Sequence, residues 1–230
     1  MKAFLWSVLF ITPVALFAAD TTSIARLEKP DVYFLKVIDE QTGNEKYIWS
    51  VTKRGRTRYK PAYAINGIEY PQEAILSAQQ LNGMGLPEVI VEWHFSAEHN
   101  YGGNPLEGGM AGGWGYSFIQ KDIWDLDADS ILFSAVVEFK QMSSEVNGVP
   151  RDTITDDDSI AVVEQLRSCE WSYAMVVNAD GSITISNLKS KGFEVVTKDD
   201  VEQSRGESEC TPDKEAGTYV LRKKRCIYMK

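Results

Sequence analysis

Segments rich in β-branched and aromatic residues recur along this chain in pairs, with only a few turn residues between the members of each pair. Asp31 to Val51 (DVYFLKVIDEQTGNEKYIWSV) is the first pair, folded back at Thr42-Gly43-Asn44. Asn66-Gly67 is a second turn signal, between Ala64-Ile65 and Ile68-Glu69, and Asn-Gly favours the primed turns that join adjacent strands. Ser172 to Asn178 and Ile183 to Leu188 repeat the arrangement across Ala179-Asp180-Gly181. Connections this short can join only antiparallel neighbours, because a parallel pair needs a long crossover. Val89 to Phe95, Tyr116 to Gln120, Ile131 to Met142, Phe193 to Thr197 and Tyr219 to Met229 read as further strands.

Helices are expected between them. Pro71 suits a first helical position, Ile75, Leu76, Gln79 and Leu81 give a partial apolar face, and Gly83 is a stop. A second helix is expected from Thr155, whose hydroxyl caps and whose neighbours Asp156 to Asp158 suit the positive end of the dipole; Ile160, Val163 and Leu166 form its stripe. Asp199 to Arg205 reads as a short third. The expectation is an α+β fold: antiparallel sheet(s) built from hairpins, nine or ten strands in all, with two or three short helices. Residues 20–230 read as a single domain; a division into two halves would fall near Gly148-Val149-Pro150.

Residues 1–19 have the layout of a secretory signal peptide: Lys2, an apolar run from Ala3 to Ala19, and the first acid at Asp20. The cleavage site is imperfect, because Phe17 or Leu16 falls where a small residue is preferred. The alternative is an uncleaved membrane anchor, at the short limit for a span and interrupted by Pro13. No other apolar stretch is long enough to span a bilayer, so an exported, periplasmic or secreted protein is expected. The net charge is −9, and removal of Lys2 makes it one unit more negative. So acidic a body argues against nucleic acid, whose affinity comes from neutralised phosphates.

Export permits a disulfide. Of Cys169, Cys210 and Cys226, the last two flank the turn TPDKEAGT inside an apparent terminal hairpin. A Cys210–Cys226 bridge there would contribute about 3 kcal/mol in the chain-entropy view. Cys169 could replace either partner.

The only histidines lie in VEWHFSAEHNYGG. Strand parity puts Trp93 and Phe95 on the core side and Glu92 with His94 on the other face. If Glu98 and His99 folded back, Glu92, His94, Glu98 and His99 would hold a transition metal with an open position for water. The spacing matches neither HExxH nor HxxEH. Asp125, Asp127 and Asp129 resemble the start of a calcium loop, but Ser130 and Val136 stand where glycine and glutamate are required, so an Asp-rich turn is the better reading. Ser50-Val-Thr-Lys53 and Ser186-Asn-Leu-Lys189 match SxxK without its companion motifs.

Residues 102–115 hold seven of the seventeen glycines. Neither GxGxxG nor a Walker pattern is present, so the stretch reads as a long loop carrying Leu106, Met110 and Trp114. A loop of this kind suits partner contact. In KRGRTRYK, Arg54, Arg56 and Arg58 share a strand face that could meet an anionic surface. These features point to an exported, non-catalytic protein of the bacterial envelope with no cofactor, of inhibitor or immunity type, binding another protein. The alternatives are a metal-assisted hydrolase built on the histidine segment and a glycan or small-ligand binder using Tyr101, Trp114 and Tyr116 as stacking surfaces.

Overall fold

The computed structural model describes residues 19–39, 45–53, 56–61, 73–81, 83, 85–105, 110–128, 130–150, 160–222 and 225–229. Residues 1–18 of the expected signal peptide 1–19, the expected Asn66-Gly67 turn and the expected helix start at Thr155 lie outside them. The chain divides into two compact units, Met1–Ala64 and Ile65–Lys230.

The first unit is a meander of β1 (Ala19–Leu27), β2 (Asp31–Asp39), β3 (Glu45–Lys53) and β4 (Arg56–Pro61). The hairpin expected within Asp31–Val51 is present, with Val32 opposite Val51 and Phe34 opposite Trp49. All four are buried, and the Phe34 and Trp49 rings meet at 4.8 Å between centroids. Alternation puts them on one face, and burying each large side chain contributes about 1.5–3 kcal/mol.

The second unit is a nine-stranded antiparallel sheet in the order β13-β12-β10-β9-β8-β7-β6-β5, with β11 also paired to β10. Its strands are β5 (Glu73–Gln79), β6 (Glu88–Tyr101), β7 (Met110–Asp125), β8 (Ser130–Pro150), β9 (Ile160–Val177), β10 (Ser182–Lys198), β11 (Val201–Glu207), β12 (Gly217–Arg222) and β13 (Arg225–Met229). β8 runs unbroken across Gly148-Val149-Pro150 and pairs there with β9.

The α+β expectation is overturned, since no α-helix occurs among the described residues. The segment after Pro71 is β5, where Ala74 is buried and Ile75 exposed, a period-two pattern fixed by pairing with β6. Ile160, Val163 and Leu166 belong to β9. Their run is β-branched and sits between two long strands, so pairing overrides the helical spacing. Asp199 and Asp200 form a two-residue hairpin loop between β10 and β11, with φ of 50° and 62°. Both values lie in the left-handed region that a type I′ turn demands, and aspartate tolerates it better than most residues. The expected strand Tyr219 to Met229 is instead the β12–β13 hairpin. Of the expected glycine loop 102–115, residues 102–105 lie outside any strand, whereas from Met110 on it is strand β7.

The disulfide joins Cys169 to Cys210, with 5.3 Å between Cα atoms, and this corrects the Cys210–Cys226 pairing. Cys226 lies opposite Leu221 on β13. Cys169 on β9 faces Gly192 on β10. A Cβ on Gly192 would strike Ser208 O and come within 3.0 Å of the Cys210 Cβ. The absent side chain therefore lets the returning chain lie beside Cys169.

Register shifts divide the large sheet. Between β7 and β8, Ile119 faces Glu138 but Gln120 faces Val136, leaving Val137 as the extra residue of a bulge. Side chains meet the backbone needs of this bulge: Val136 N–H donates to Asp213 Oδ2 at 3.0 Å, and Val136 O accepts from Trp171 Nε1 at 3.2 Å. Toward the chain ends of the bulge lies a core of Ile123, Phe133, Ala135, Val137, Ile183 and Tyr219, among others. Beyond the bulge the strands continue, yet none of the side chains described in 110–119, 138–148 and 162–172 is buried. That open half of the sheet carries the candidate site.

Candidate functional site

Directly opposed residues in an antiparallel sheet share a face, so the register defines rows across the open half. On one face the row Phe95, Phe118, Phe139, Trp171 crosses four strands. Phe95 stacks on Phe118 at 4.5 Å, and Phe139 on Trp171 at 4.1 Å. The next row is Ala97, Tyr116, Gln141, Cys169; the one beyond is His99, Trp114, Ser143, Arg167; the last is Tyr101, Gly112, Glu145, Gln165. Along β7 the rings of Trp114, Tyr116 and Phe118 form one continuous stack, with centroid steps of 5.6 and 5.9 Å. The stack runs from the half-buried Phe118 to Trp114, which is 38% exposed. At its outer end a small pocket of about 140 Å³ is bordered by Tyr101, Trp114, Glu145, Gln165 and Arg167. Arg167 Nε and Gln165 Nε2 both donate to Glu194 Oε1, the arginine at 3.1 Å.

The opposite face carries an open groove of about 880 Å³. Its central row is Glu98, Gly115, Met142, Ser168, followed by Asn100, Gly113, Ser144, Leu166. Gly113 and Gly115 leave the groove without side chains along β7. They are glycine for different reasons. A Cβ on Gly113 would fall on Asn100 Oδ1 and 2.9 Å from His99 O, whereas one on Gly115 would meet only Ala97 O at 3.7 Å and Glu98 Cβ at 3.8 Å. Gly112, at φ 152°, is closed in by Ser144 O, and Gly103 by the backbone of Met110. Gly103, Gly112 and Gly113 thus serve close backbone approach, while a Cβ on Gly102 would meet open space and one on Gly115 only ordinary contacts. Met142, 58% exposed, and Leu166 supply apolar surface; Glu98 and Glu170 supply negative charge, while Lys140 is held at 2.8 Å by Glu138.

The structure separates the expected metal ligands. Glu92 and His94 do pair, His94 Nε2 lying 2.9 Å from Glu92 Oε1, but Lys121 Nζ occupies the other oxygen at 2.7 Å. Burial opposes ionisation of Glu92, yet hydrogen bonds from Lys121 and His94 outweigh it and hold its carboxyl below the ordinary 4.5. β6 continues straight through Glu98, roughly 20 Å farther along the strand. His99 turns to the face of Trp114, 6.0 Å from its ring. Among the described residues no cluster of three or more His, Cys, Asp or Glu could hold a metal. In the Asp-rich turn the carboxylates serve backbone amides: Asp125 accepts from Ala128 N and Asp127 from Leu86 N, each at 2.8 Å.

Of the other expected contact residues, Tyr101, Trp114 and Tyr116 come together on one face, and Met110 starts β7 as an exposed side chain. Arg56 and Arg58 lie on β4, at register with Lys53 and Val51. Leu106 and Arg54 lie outside the described residues.

Arg167, Gln165, Glu145 and Met142 were not legible as site residues. Each becomes one only when register places it beside Trp114 or Gly115. Asp122 was also missed. It is fully buried and accepts from Trp93 Nε1 at 2.7 Å and Gln120 Nε2 at 2.9 Å; burial pushes its carboxyl up despite these bonds. No protein-family model matches this chain, and neither the curated proteins nor the solved structures contain a significant match.

Proposed function

We propose that this chain is an exported, non-catalytic protein of the bacterial envelope that binds a partner protein along the groove of its open half-sheet. The observation that carries this reading is the groove itself: about 880 Å³, open, with glycine at its centre and exposed methionine beside it. A trough lying across paired strands, with apolar surface at Met142 and Leu166, fits an extended segment of another chain. Methionine adapts its shape to a partner at little cost. Glu98 and Glu170 favour a basic partner, in keeping with the net charge of −9.

Export is supported by the apolar run before Asp20 and by the Cys169–Cys210 disulfide, which persists in oxidising compartments. No helix among the described residues is long and apolar enough to cross a membrane. A non-catalytic role is supported by how the acids are used: Glu92, Asp122 and Asp213 are each committed to hydrogen bonds within the sheet. An inhibitor or immunity-type protein acts in this way, by occupying its partner.

The test is a groove-filling variant. Gly115→Leu should fold normally, because its Cβ position is open, and should lose the proteins that wild type retains from a native envelope extract. An unchanged set of captured proteins in Gly115→Leu would overturn the reading.

A further inference from the structure

The face opposite the groove carries a second arrangement, which borders the groove along Gly113, Trp114, Ser143 and Ser144 but includes Tyr101, Glu145, Gln165 and Arg167, which do not line it. Tyr116 lies parallel to Trp114, at 6° between planes, and so covers one face of the indole. The small pocket lies on the other side of that indole, bordered by Tyr101, Glu145 and Gln165, which all stand one row farther along the sheet. Trp114 borders the pocket and His99 lies tilted beside it at 6.0 Å, so the indole is one wall of the pocket. Facing it are groups that can donate and accept in several directions. Tyr101 Oη, the Glu145 carboxylate and the Nη groups of Arg167 have no hydrogen-bond partner among the described residues. Arg167 is nevertheless fixed, because its Nε is bound to Glu194. Gly112 makes room for Tyr101, whose Oη lies 3.1 Å from where a Cβ would stand.

We infer that this pocket binds one ring of a neutral saccharide. A pyranose presents an apolar C–H face and an equatorial belt of hydroxyls. The first stacks on an aromatic face and the second needs donors and acceptors around its edge. The volume of about 140 Å³ fits a single ring, and the sheet surface is open on either side for the rest of a chain. Charge selects against the other small ligands. Glu145 lines the pocket and Glu194 neutralises Arg167, so a phosphate or uronate meets carboxylates. An uncharged polyhydroxyl ring uses both signs without a penalty.

Calorimetric titration of the full chain tests this with four probes: tetramers of β-1,4-glucose, α-1,4-glucose and β-1,4-N-acetylglucosamine, and an acidic tetragalacturonate. At least one neutral tetramer should bind, at about millimolar affinity or better. Trp114→Ala and Arg167→Ala should each weaken it about tenfold or more, while Val201→Ala, on the exposed strand β11, leaves it unchanged. The inference is overturned if no neutral tetramer binds wild type, if both variants bind as wild type does, or if the acidic tetramer binds best. Because Gly115 lies on the other face, these outcomes stand apart from those of the protein-capture test.

Discussion

Tyr173 donates its phenolic proton to Asp213 Oδ1 at 2.7 Å, across forty residues of chain. The other oxygen of the same carboxylate takes the Val136 amide freed by the bulge. Asp213 thus ties the segment after β11 to the point where the core ends and the open half-sheet begins. Tyr173→Phe should cost about 1.5–3 kcal/mol, as expected for a bond to a charged acceptor. Asp213→Ala should cost more, because it strands two donors, and should speed amide exchange at Val136. Urea unfolding and hydrogen exchange measure both.

The Cys169–Cys210 bridge closes a loop whose ends are separated by 41 positions. Chain entropy assigns such a closure about 4 kcal/mol, and measured values commonly run lower. Replacing both cysteines with serine should therefore lower stability by about 2–4 kcal/mol, while Cys226→Ser changes little. Non-reducing peptide mapping should recover one linked pair containing Cys169 and Cys210. A Cys210–Cys226 peptide would contradict the Gly192 geometry.

Glu92 and Asp122 should titrate in opposite senses. The Glu92 carboxyl is held below 4.5, so its contribution is present above that pH and is lost as pH falls through its folded value. Burial raises Asp122 above 3.8, so its contribution is full below that pH and is lost as pH rises through its folded value. Carboxyl-resolved NMR should order them this way. The stability deficit of Glu92→Gln should be at most about 1 kcal/mol near neutrality, as for partly exposed pairs, and should vanish in acid.

The β7 glycines should separate cleanly under alanine substitution. Gly115→Ala should stay within about 0.5 kcal/mol of wild type. Gly113→Ala should cost about 1–3 kcal/mol, because its Cβ is driven against His99 O. Thermal unfolding of the two variants decides it.

The antiparallel hairpins were legible because alternation and turn residues are local signals. Trp93 and Phe95 took the core side that parity assigns. Among the described residues, the helical readings failed at 73–81 and 160–166, because in short apolar runs helical spacing is a weak signal and pairing with distant strands overrides it. The glycine-rich segment was read as loop throughout, which holds at 102–105 and fails from Met110 on, since glycine serves close strand approach as well as flexibility. Trp114, Tyr116 and Tyr101 were legible as candidate stacking aromatics, though only Trp114 is exposed. Arg167, remote in sequence, joined them, and Met142 joined Gly115 on the other face, only through register, which no local window contains.

The most direct test of the account is site-specific photocrosslinking in the native host. A photoreactive residue at Met142, in the groove, is compared with one at Val201, which is 61% exposed but lies on β11 outside it. The account predicts a discrete protein adduct from position 142 that disappears in the Gly115→Leu background, and none from position 201. Equal labelling at both positions, or none at 142, would contradict it.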